Sequence, residues 1–258
     1  QNAGTLILMP GTGAALGNTS GSDMRVLGTT ILGQNTTTVA GLQVLNNINA
    51  GSNAGIVAAS ILAVASPTDR TASFVNYDPT LGFITATNVA SNFENASSSS
   101  VINIAGSPLI TVVVPGTVDV FALSTSNSLS GGTLRIRALN TTDMGGLVIN
   151  GVGRAAPTIS TNLFFNPFGA TGGALAGEGL IYVSGGYTDG NAATISGSIT
   201  AKNVTTYGAG DLILAGVNNI LGNITVNEGI LSIANVDALP SMTGGLILND
   251  RGNLDVSG

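Results

Sequence analysis

Short runs of alternating apolar and polar residues recur along the whole chain, and most begin just after a glycine. In GDLILAG (210–216), Leu212 and Leu214 fall on one face of an extended strand, and Asp211 and Ile213 on the other. This period of two predicts a strand with one buried face. Runs of the same form are GTLIL (4–8), GTLRIRAL (132–139), GGLVING (145–151), EGLIYVSG (178–185), GNITVNEG (222–229), GILSIAN (229–235), GGLILND (244–250) and GNLDVSG (252–258). The chain is predicted to be all-β.

The glycines that separate these runs are spaced like the corners of a repeat. Gly210, Gly229 and Gly245 begin three successive runs, at intervals close to the roughly 20 residues of many repeat proteins. A repeat of strands buries its inward face only when neighbouring repeats stack on it, which predicts a β-solenoid. If each coil takes roughly 20–25 residues, the chain forms about 10–13 coils. Glycine suits corners that need positive φ, and Asn, Ser and Thr are expected to form ladders on the outer faces.

We predict a single β-solenoid over residues 1–258, interrupted by loops at 67–100 and 161–179, where Pro, Ser, Gly and aromatic residues replace the repeat. The aromatic side chains of these segments fill small local cores or, in the alternative interpretation, form a contact patch for a partner. The candidate contact residues are Phe74, Tyr77, Phe164, Phe165 and Phe168.

The amino-acid composition argues against several functional classes. Only 8% of the residues are charged and 43% are hydrophobic, with 37 glycines and no cysteine or histidine. A net charge of −6 argues against a nucleic-acid partner, which requires a basic surface. No apolar run approaches the roughly 18 residues of a spanning helix, so no membrane span is predicted in this chain. Low charge with abundant Gly, Thr and Asn favours an extracellular protein.

Candidate catalytic chemistry is sparse. Without histidine there is no triad and no histidine metal site, and the 13 carboxylates are scattered. Asp211, Glu228 and Asp250 would suit a polysaccharide-degrading enzyme if they aligned on adjacent coils, but solvated corner charges are the favoured interpretation. Arg135 and Arg137 share a strand face that points outward if Leu134 and Ile136 point inward. That face is either solvated or a contact for an anionic glycan. No catalytic, cofactor-binding or metal-ligating residue is predicted.

Residues 208–231, GAGDLILAGVNNILGNITVNEGIL, resemble the autotransporter-associated β-strand repeat, G-x-G-x-L-x-L-x-G-x-N-x-Y-x-G-x-T-x-V-x-x-G-x-L. Ile220 stands in place of the usual aromatic residue, Ile224 in place of a common Thr, and Thr206-Tyr207 where a Lys often precedes the motif. Looser similarity upstream is to large surface proteins of planctomycete- and verrucomicrobia-type bacteria. The matching positions are Gly208, Gly210, Leu212, Leu214, Gly216, Asn218, Gly222, Val226, Gly229 and Leu231.

The resemblance implies a right-handed parallel β-helix in the passenger region of a protein secreted or displayed on the bacterial cell surface. Because the chain begins and ends in mid-repeat, we expect a segment of a longer repeat protein. The predicted function is structural and not enzymatic: a fibre, sheath or surface rod built by coil stacking and head-to-tail self-association, with a second copy or the rest of a longer chain as partner. The alternative is an adhesin that binds a glycan or host surface through its loops. The candidate assembly ends are Leu6, Leu8, Leu246, Leu248, Leu254 and Val256.

Overall fold

A computed structural model provides the coordinates of the protein. The structure describes residues 5–10, 14–17, 30–31, 34–35, 56, 59–78, 81–86, 89–106, 109–137, 144–151, 157–166, 177–185, 192–239 and 243–256.

Nearly every regular element in these ranges is a β-strand, and the exception is a 3-10 helix at Val236–Ala238. In chain order the strands are β1 (Leu6–Leu8), β2 (Thr30–Ile31), β3 (Gln34–Asn35), β4 (Ile61–Val64), β5 (Ala72–Asp78), β6 (Gly82–Thr85), β7 (Val101–Ile104), β8 (Thr111–Val113), β9 (Thr117–Val120), β10 (Ala122–Thr125), β11 (Ser128–Ser130), β12 (Thr133–Arg137), β13 (Gly146–Ile149), β14 (Thr158–Ile159), β15 (Asn162–Asn166), β16 (Glu178–Val183), β17 (Ala192–Ile195), β18 (Ile199–Ala201), β19 (Asn203–Tyr207), β20 (Asp211–Leu214), β21 (Asn219–Ile220), β22 (Ile224–Ile233) and β23 (Leu246–Asp255).

Strands β7 to β23 form a parallel β-helix with three faces. Face A contains β7, β10, β13, β16, β19 and the first halves of β22 and β23, whereas face B contains β8, β11, β14, β17, β20 and the second halves of the same two long strands. Face C contains β9, β12, β15, β18 and β21. Each turn runs through the faces in the order A, B, C, so β7 opens turn 1 and β23 is turn 7. The prediction of a parallel β-helix is confirmed.

Apolar side chains from equivalent positions stack into columns inside the helix. On face B, Leu129 pairs with Ile159, Ile159 with Ile195, and Ile195 with Leu214, and all four are buried. Alternation along each strand sends every second side chain into this core, as the sequence pattern predicts. Because parallel in-register pairing repeats the same position in each turn, the core is continuous along the helix axis.

Asparagine side chains at the corners bond one turn to the next. The Asn203 side-chain oxygen accepts from the Asn223 amide at 2.9 Å, and the Asn223 side-chain oxygen accepts from the Gly245 amide at 2.9 Å. At another corner, the Asn127 side-chain oxygen accepts from the Ile110 amide at 3.1 Å. Corner amides cannot all join a sheet ladder, so these side chains satisfy groups that would otherwise be costly to bury. The expected polar ladders are present, at the corners.

The segment before turn 1 covers the start of the helix. Ala90 forms a parallel bridge with Ile102, donating to the Val101 carbonyl at 3.0 Å and accepting from Asn103 at 2.8 Å. Phe93 is 8% exposed and belongs to the same core as Ile102. This segment therefore closes face A of turn 1, as terminal caps do in other solenoids.

The first part of the chain forms a separate sheet, in the order β1-β4-β5-β6, that lies against the outside of face A. Its β1–β4 pair is parallel, whereas β4–β5 and β5–β6 are antiparallel. A second apolar core lies between the two layers. Its buried members from the side sheet and nearby positions are Ile56, Ala59, Leu62, Val64, Ala72 and Phe74, and those from the helix are Val101, Phe121, Ala122, Val148, Leu180, Tyr182 and Tyr207.

Specific hydrogen bonds fix this layer on the helix. The Tyr207 hydroxyl donates to the Ala59 carbonyl at 2.8 Å, and the Tyr182 hydroxyl donates to the Arg70 carbonyl at 2.7 Å. The Asn150 side chain donates to the Ala72 carbonyl and accepts from its amide, both at 2.9 Å. Burial raises the pKa of both tyrosines above the usual range, so the hydroxyls stay protonated as donors.

This arrangement corrects two predictions. The described strands form seven turns, fewer than the roughly 10–13 expected, because β1, β4, β5 and β6 build the side sheet and β2 pairs with β3. Residues 67–100 and 161–179 are not wholly loop, because β5 and β6 lie in the first range and β15 lies in the second. Phe74, Tyr77, Phe83 and Phe165 occupy strand positions and are buried, and Phe93 is buried outside the strands.

Thr206 is a polar residue in the core whose side-chain hydroxyl lacks a hydrogen-bond partner. Thr206 lies between Ile181 and Val226 in a face A column, is 4% exposed, and its hydroxyl has no hydrogen-bond partner. Thr206→Val keeps the shape and removes the unpaired hydroxyl, so we expect it to raise the free energy of unfolding by about 1 kcal/mol. Urea unfolding of the two proteins measures the difference. Thr225→Val, at the adjacent outward position, is the control and should give no gain of that size.

Candidate association surface at the last turn

The last turn has one paired edge. Strand β23 pairs in parallel with β22 over almost its whole length, with an irregularity between Val226 and Glu228. Within the described ranges, no strand pairs with the opposite edge of β23. A ten-residue strand edge presents a row of peptide groups that add readily to another strand.

The exposed apolar residues of β23 belong to the interior columns of the helix. Val226 pairs with Leu248, and Leu231 pairs with Leu254. Val226 and Leu231 are 0% exposed, whereas Leu248 is 45% exposed and Leu254 is 38% exposed. The same column positions are buried one turn earlier because a further turn covers them. These two leucines therefore mark an end of the hydrophobic core that is open in this structure.

Other apolar side chains extend this surface. Val256 is 68% exposed just beyond β23, and Leu246 is partly buried against the core. Val217, Leu221 and Val236, at the corners of turns 5 and 6, are also exposed. The open edge of β23, with Leu246, Leu248, Leu254 and Val256, is what we call the last-turn surface, and the three corner residues are not part of it. Such a contiguous apolar surface is typical of a site of association.

Strand β23 also carries three charged residues, Asp250, Arg251 and Asp255, and all three are exposed. Glu228 lies 3.8 Å from Arg251 on β23 and 3.9 Å from Arg70, which precedes the side sheet strand β5. The Arg251 side chain is 76% exposed, so its ion pair contributes little to stability. A second protein layer on this surface must therefore leave these charges in solvent or pair them, because burying an unpaired charge is costly.

The predicted N-terminal assembly residues lie elsewhere. Leu6–Leu8 pairs with Ile61–Ala63 in the side sheet, where Leu8 is 7% exposed and Leu6 is exposed. The Thr5 hydroxyl is 3.2 Å from the side-chain nitrogen of Asn227 in turn 6, so this strand begins beside the late turns of the helix. Leu6 and Leu8, predicted as assembly ends, therefore lie in the side sheet on the flank of face A.

The end formed by turn 1 is partly open. Face A is covered there by Ala90 and Phe93, but β8 on face B is the outermost strand of its sheet. Ile110 is 53% exposed and Val113 is 66% exposed beside this edge. Turn 1 thus has a short apolar strand edge on face B. The second half of β23 lies on the same face at the other end of the helix.

The predicted loop contacts are mostly buried. Phe74 and Tyr77 are each 3% exposed in the side sheet, and Phe165 is 1% exposed inside the helix. Their position on strands directs these rings into cores, so they cannot carry a surface contact. Phe164 alternates with Phe165 and is half-buried on the outside of face C. Phe168 lies outside the described residues.

The residues of the repeat motif occupy the positions expected of a solenoid. Leu212, Leu214, Val226 and Leu231 are buried in the core. Gly208 and Gly229 have positive φ, whereas Gly210, Gly216 and Gly222 do not and instead lie against backbone or an asparagine side chain of the neighbouring turn. Close approach between turns therefore explains three of these five glycines, and positive φ distinguishes the other two.

The three carboxylates considered for catalysis do not align. Asp211 pairs with Ile230, and Glu228 pairs with Arg251. Burial, with a smaller contribution from the charge of Asp255, raises the pKa of Asp211, and one of its oxygens has no hydrogen-bond partner. No group of three or more potential metal-ligating side chains occurs in the described part of the chain.

Sequence reasoning missed an ion-pair cluster on face C. Asp119 accepts from Arg135 Nε at 2.7 Å and from Arg135 Nη2 at 2.9 Å, and its second oxygen lies 3.4 Å from Arg137. The strand pattern correctly placed both arginines outward. The pattern held no signal that Asp119, in the previous turn, is the register partner of Arg135.

Comparisons with known proteins give no relative from which to transfer a function. A scan against protein-family models, a search of curated proteins and a search of solved structures each found no match to this chain. The described residues also contain no helix with the length and apolar character needed to cross a membrane.

Proposed function

We propose that the protein is a structural rod of the extracellular space or bacterial cell surface, which lengthens when copies stack head to tail. In this arrangement the second half of β23 meets β8 in turn 1 of the next copy, and the first half, with Leu248, meets the segment at Ala90 and Phe93 that covers face A there. The observation that carries the proposal is the exposure of Leu248 and Leu254, whose column neighbours Val226 and Leu231 are fully buried. Stacking another turn removes this apolar surface from water, which is the main driving force for association.

The contact on turn 1 is placed on face B. Strand β8 and the second half of β23 lie on the same face, so stacking two copies continues the face B sheet without reversing strand direction. Ile110 and Val112 then cover Leu254 and Val256 of the preceding copy, because Val112 pairs with Leu129 in an inward column of face B. A head-to-tail contact joins different surfaces and produces an open filament. The similarity of residues 208–231 to the autotransporter repeat and the low charge of the chain support an extracellular setting.

The test replaces the open core positions with charge. The double variant Leu248→Asp/Leu254→Asp should weaken end-to-end association by about tenfold or more, because a charge would have to be buried in the junction. Electron microscopy and sedimentation velocity over a dilution series measure filament length and mass for each protein.

Val236→Asp is the matched control, since Val236 is 88% exposed near the same end but lies outside the columns that β23 continues. It should leave association unchanged. Isolated rods of the unaltered protein at every concentration, or equal losses in the double variant and the control, would contradict the proposal. Circular dichroism confirms that each variant is folded.

A further inference from the structure

The outer surface of face C brings together chemically distinct side chains from different turns. Arg135 on β12 pairs with Phe164 on β15, and Phe164 pairs with Thr200 on β18. Residues that alternate with them, including Leu134 and Leu163, are buried in the core. The three side chains therefore lie in one outward row, about 4.8 Å apart along the helix axis.

Face C is cationic in an otherwise acidic protein. Arg135 and Arg137 share the single carboxylate of Asp119, and Lys202 is exposed directly after β18. Among the described residues, these three cations outnumber the carboxylates of Asp119 and of Glu178, the register partner of Asn203, so this part of the surface is net positive, whereas the whole chain carries −6. The nearby Glu178, at the start of β16 on face A, accepts from Asn203 at 3.0 Å and from Thr205 at 2.8 Å. A positive patch of this kind complements an anionic ligand.

The patch also contains groups suited to a sugar. Phe164 is a half-buried aromatic residue in the row between Arg135 and Thr200. The apolar faces of sugar rings pack against aromatic rings. Asn166 pairs in register with Arg137, is 3% exposed, and neither its side-chain oxygen nor its nitrogen has a hydrogen-bond partner. A buried amide without partners is rare and signals a missing one, such as a ligand hydroxyl.

We propose that face C binds an anionic polysaccharide, namely a chain of uronic acid residues running along the helix axis. Its carboxylates lie against Lys202 and the Arg135–Arg137 pair, and one sugar ring packs on Phe164. The flat, evenly spaced surface of a parallel sheet suits a ligand that is itself a linear repeat. This binding is independent of end-to-end stacking, because face C is the side of the rod and the last-turn surface is its end.

Affinity electrophoresis and calorimetric titration with polygalacturonate test the proposal, with neutral dextran as the comparison polymer. Lys202→Gln should weaken polygalacturonate binding by about fivefold, and binding of the unaltered protein should weaken as NaCl is added. Arg251→Gln removes the same charge from β23, outside face C, and should bind like the unaltered protein. Phe164→Ala should reduce affinity, and Phe164→Tyr should restore it.

Three results would overturn the proposal: no binding of polygalacturonate by the unaltered protein, equal binding of dextran, or equal losses in Lys202→Gln and Arg251→Gln. The last result would indicate attraction to charge in general. Thermal unfolding of each variant separates loss of binding from loss of fold. Filament length from electron microscopy, measured on the same samples, separates failure of this proposal from failure of head-to-tail stacking.

Discussion

Gly229→Ala is expected to lower the free energy of unfolding by about 3 kcal/mol, one of the two largest effects we predict. Gly229 lies in the middle of β22, where the chain passes from face A to face B, and has φ of 86°. A methyl carbon there would lie against the Gly210 carbonyl oxygen and 2.6 Å from the Gly208 carbonyl oxygen. Unfavourable φ and steric overlap with the preceding turn both oppose the substitution.

Gly245→Ala is the matched control. Gly245 immediately precedes β23, but an added methyl carbon would have no atom within 4 Å, and its φ is outside the left-handed region. Its substitution should change stability by less than about 1 kcal/mol. Urea unfolding followed by circular dichroism measures both variants, and the midpoint shift gives the difference. Equal stability of the two variants would show that the corner at Gly229 is not constrained as described.

Asn218→Ala should destabilise the protein by about 2–4 kcal/mol, because it leaves buried backbone groups without partners. The Asn218 side-chain oxygen accepts from the Ile199 amide at 2.8 Å, and its nitrogen donates to the Ala238 carbonyl at 2.8 Å. The residue is 3% exposed and joins turn 4 to turn 6 through turn 5. Its loss therefore removes contacts to both neighbouring turns at one corner.

Asn219→Ala provides the comparison for this prediction. Asn219 is the next residue, carries the same side chain and is exposed on face C. Its substitution should change the free energy of unfolding by less than about 0.5 kcal/mol. Hydrogen exchange adds a local measurement, since the Ile199 amide should exchange faster in Asn218→Ala and not in Asn219→Ala. Unchanged protection of Ile199 would contradict the assigned bond.

The two proposals assign different parts of the helix to different tasks. Stacking uses the last-turn surface, where core leucines are exposed, and glycan binding uses the side of the rod at face C. A filament of stacked copies would repeat the face C patch at regular intervals along its length. A long polyanion would then bind several copies at once, which raises its overall affinity without any new contact.

The sequence by itself determined the strands of the helix, their inward and outward faces and several of their corners. Leu212 and Leu214 point inward, Arg135 and Arg137 point outward, and Gly208 and Gly229 turn with positive φ. These properties are local. Alternation decides which face a residue occupies, and only glycine adopts positive φ without cost.

Only the tertiary structure decided which strands become neighbours. GTLIL (4–8) has the same pattern as the helix strands, yet Leu6–Leu8 pairs with Ile61–Ala63 in the side sheet. Likewise Asp119 meets Arg135, and Asn218 bridges three turns, through register between segments distant in sequence. A period of two specifies a buried face but not the partner that buries it, since many strands offer an equivalent apolar face. The choice among them depends on packing of the whole chain.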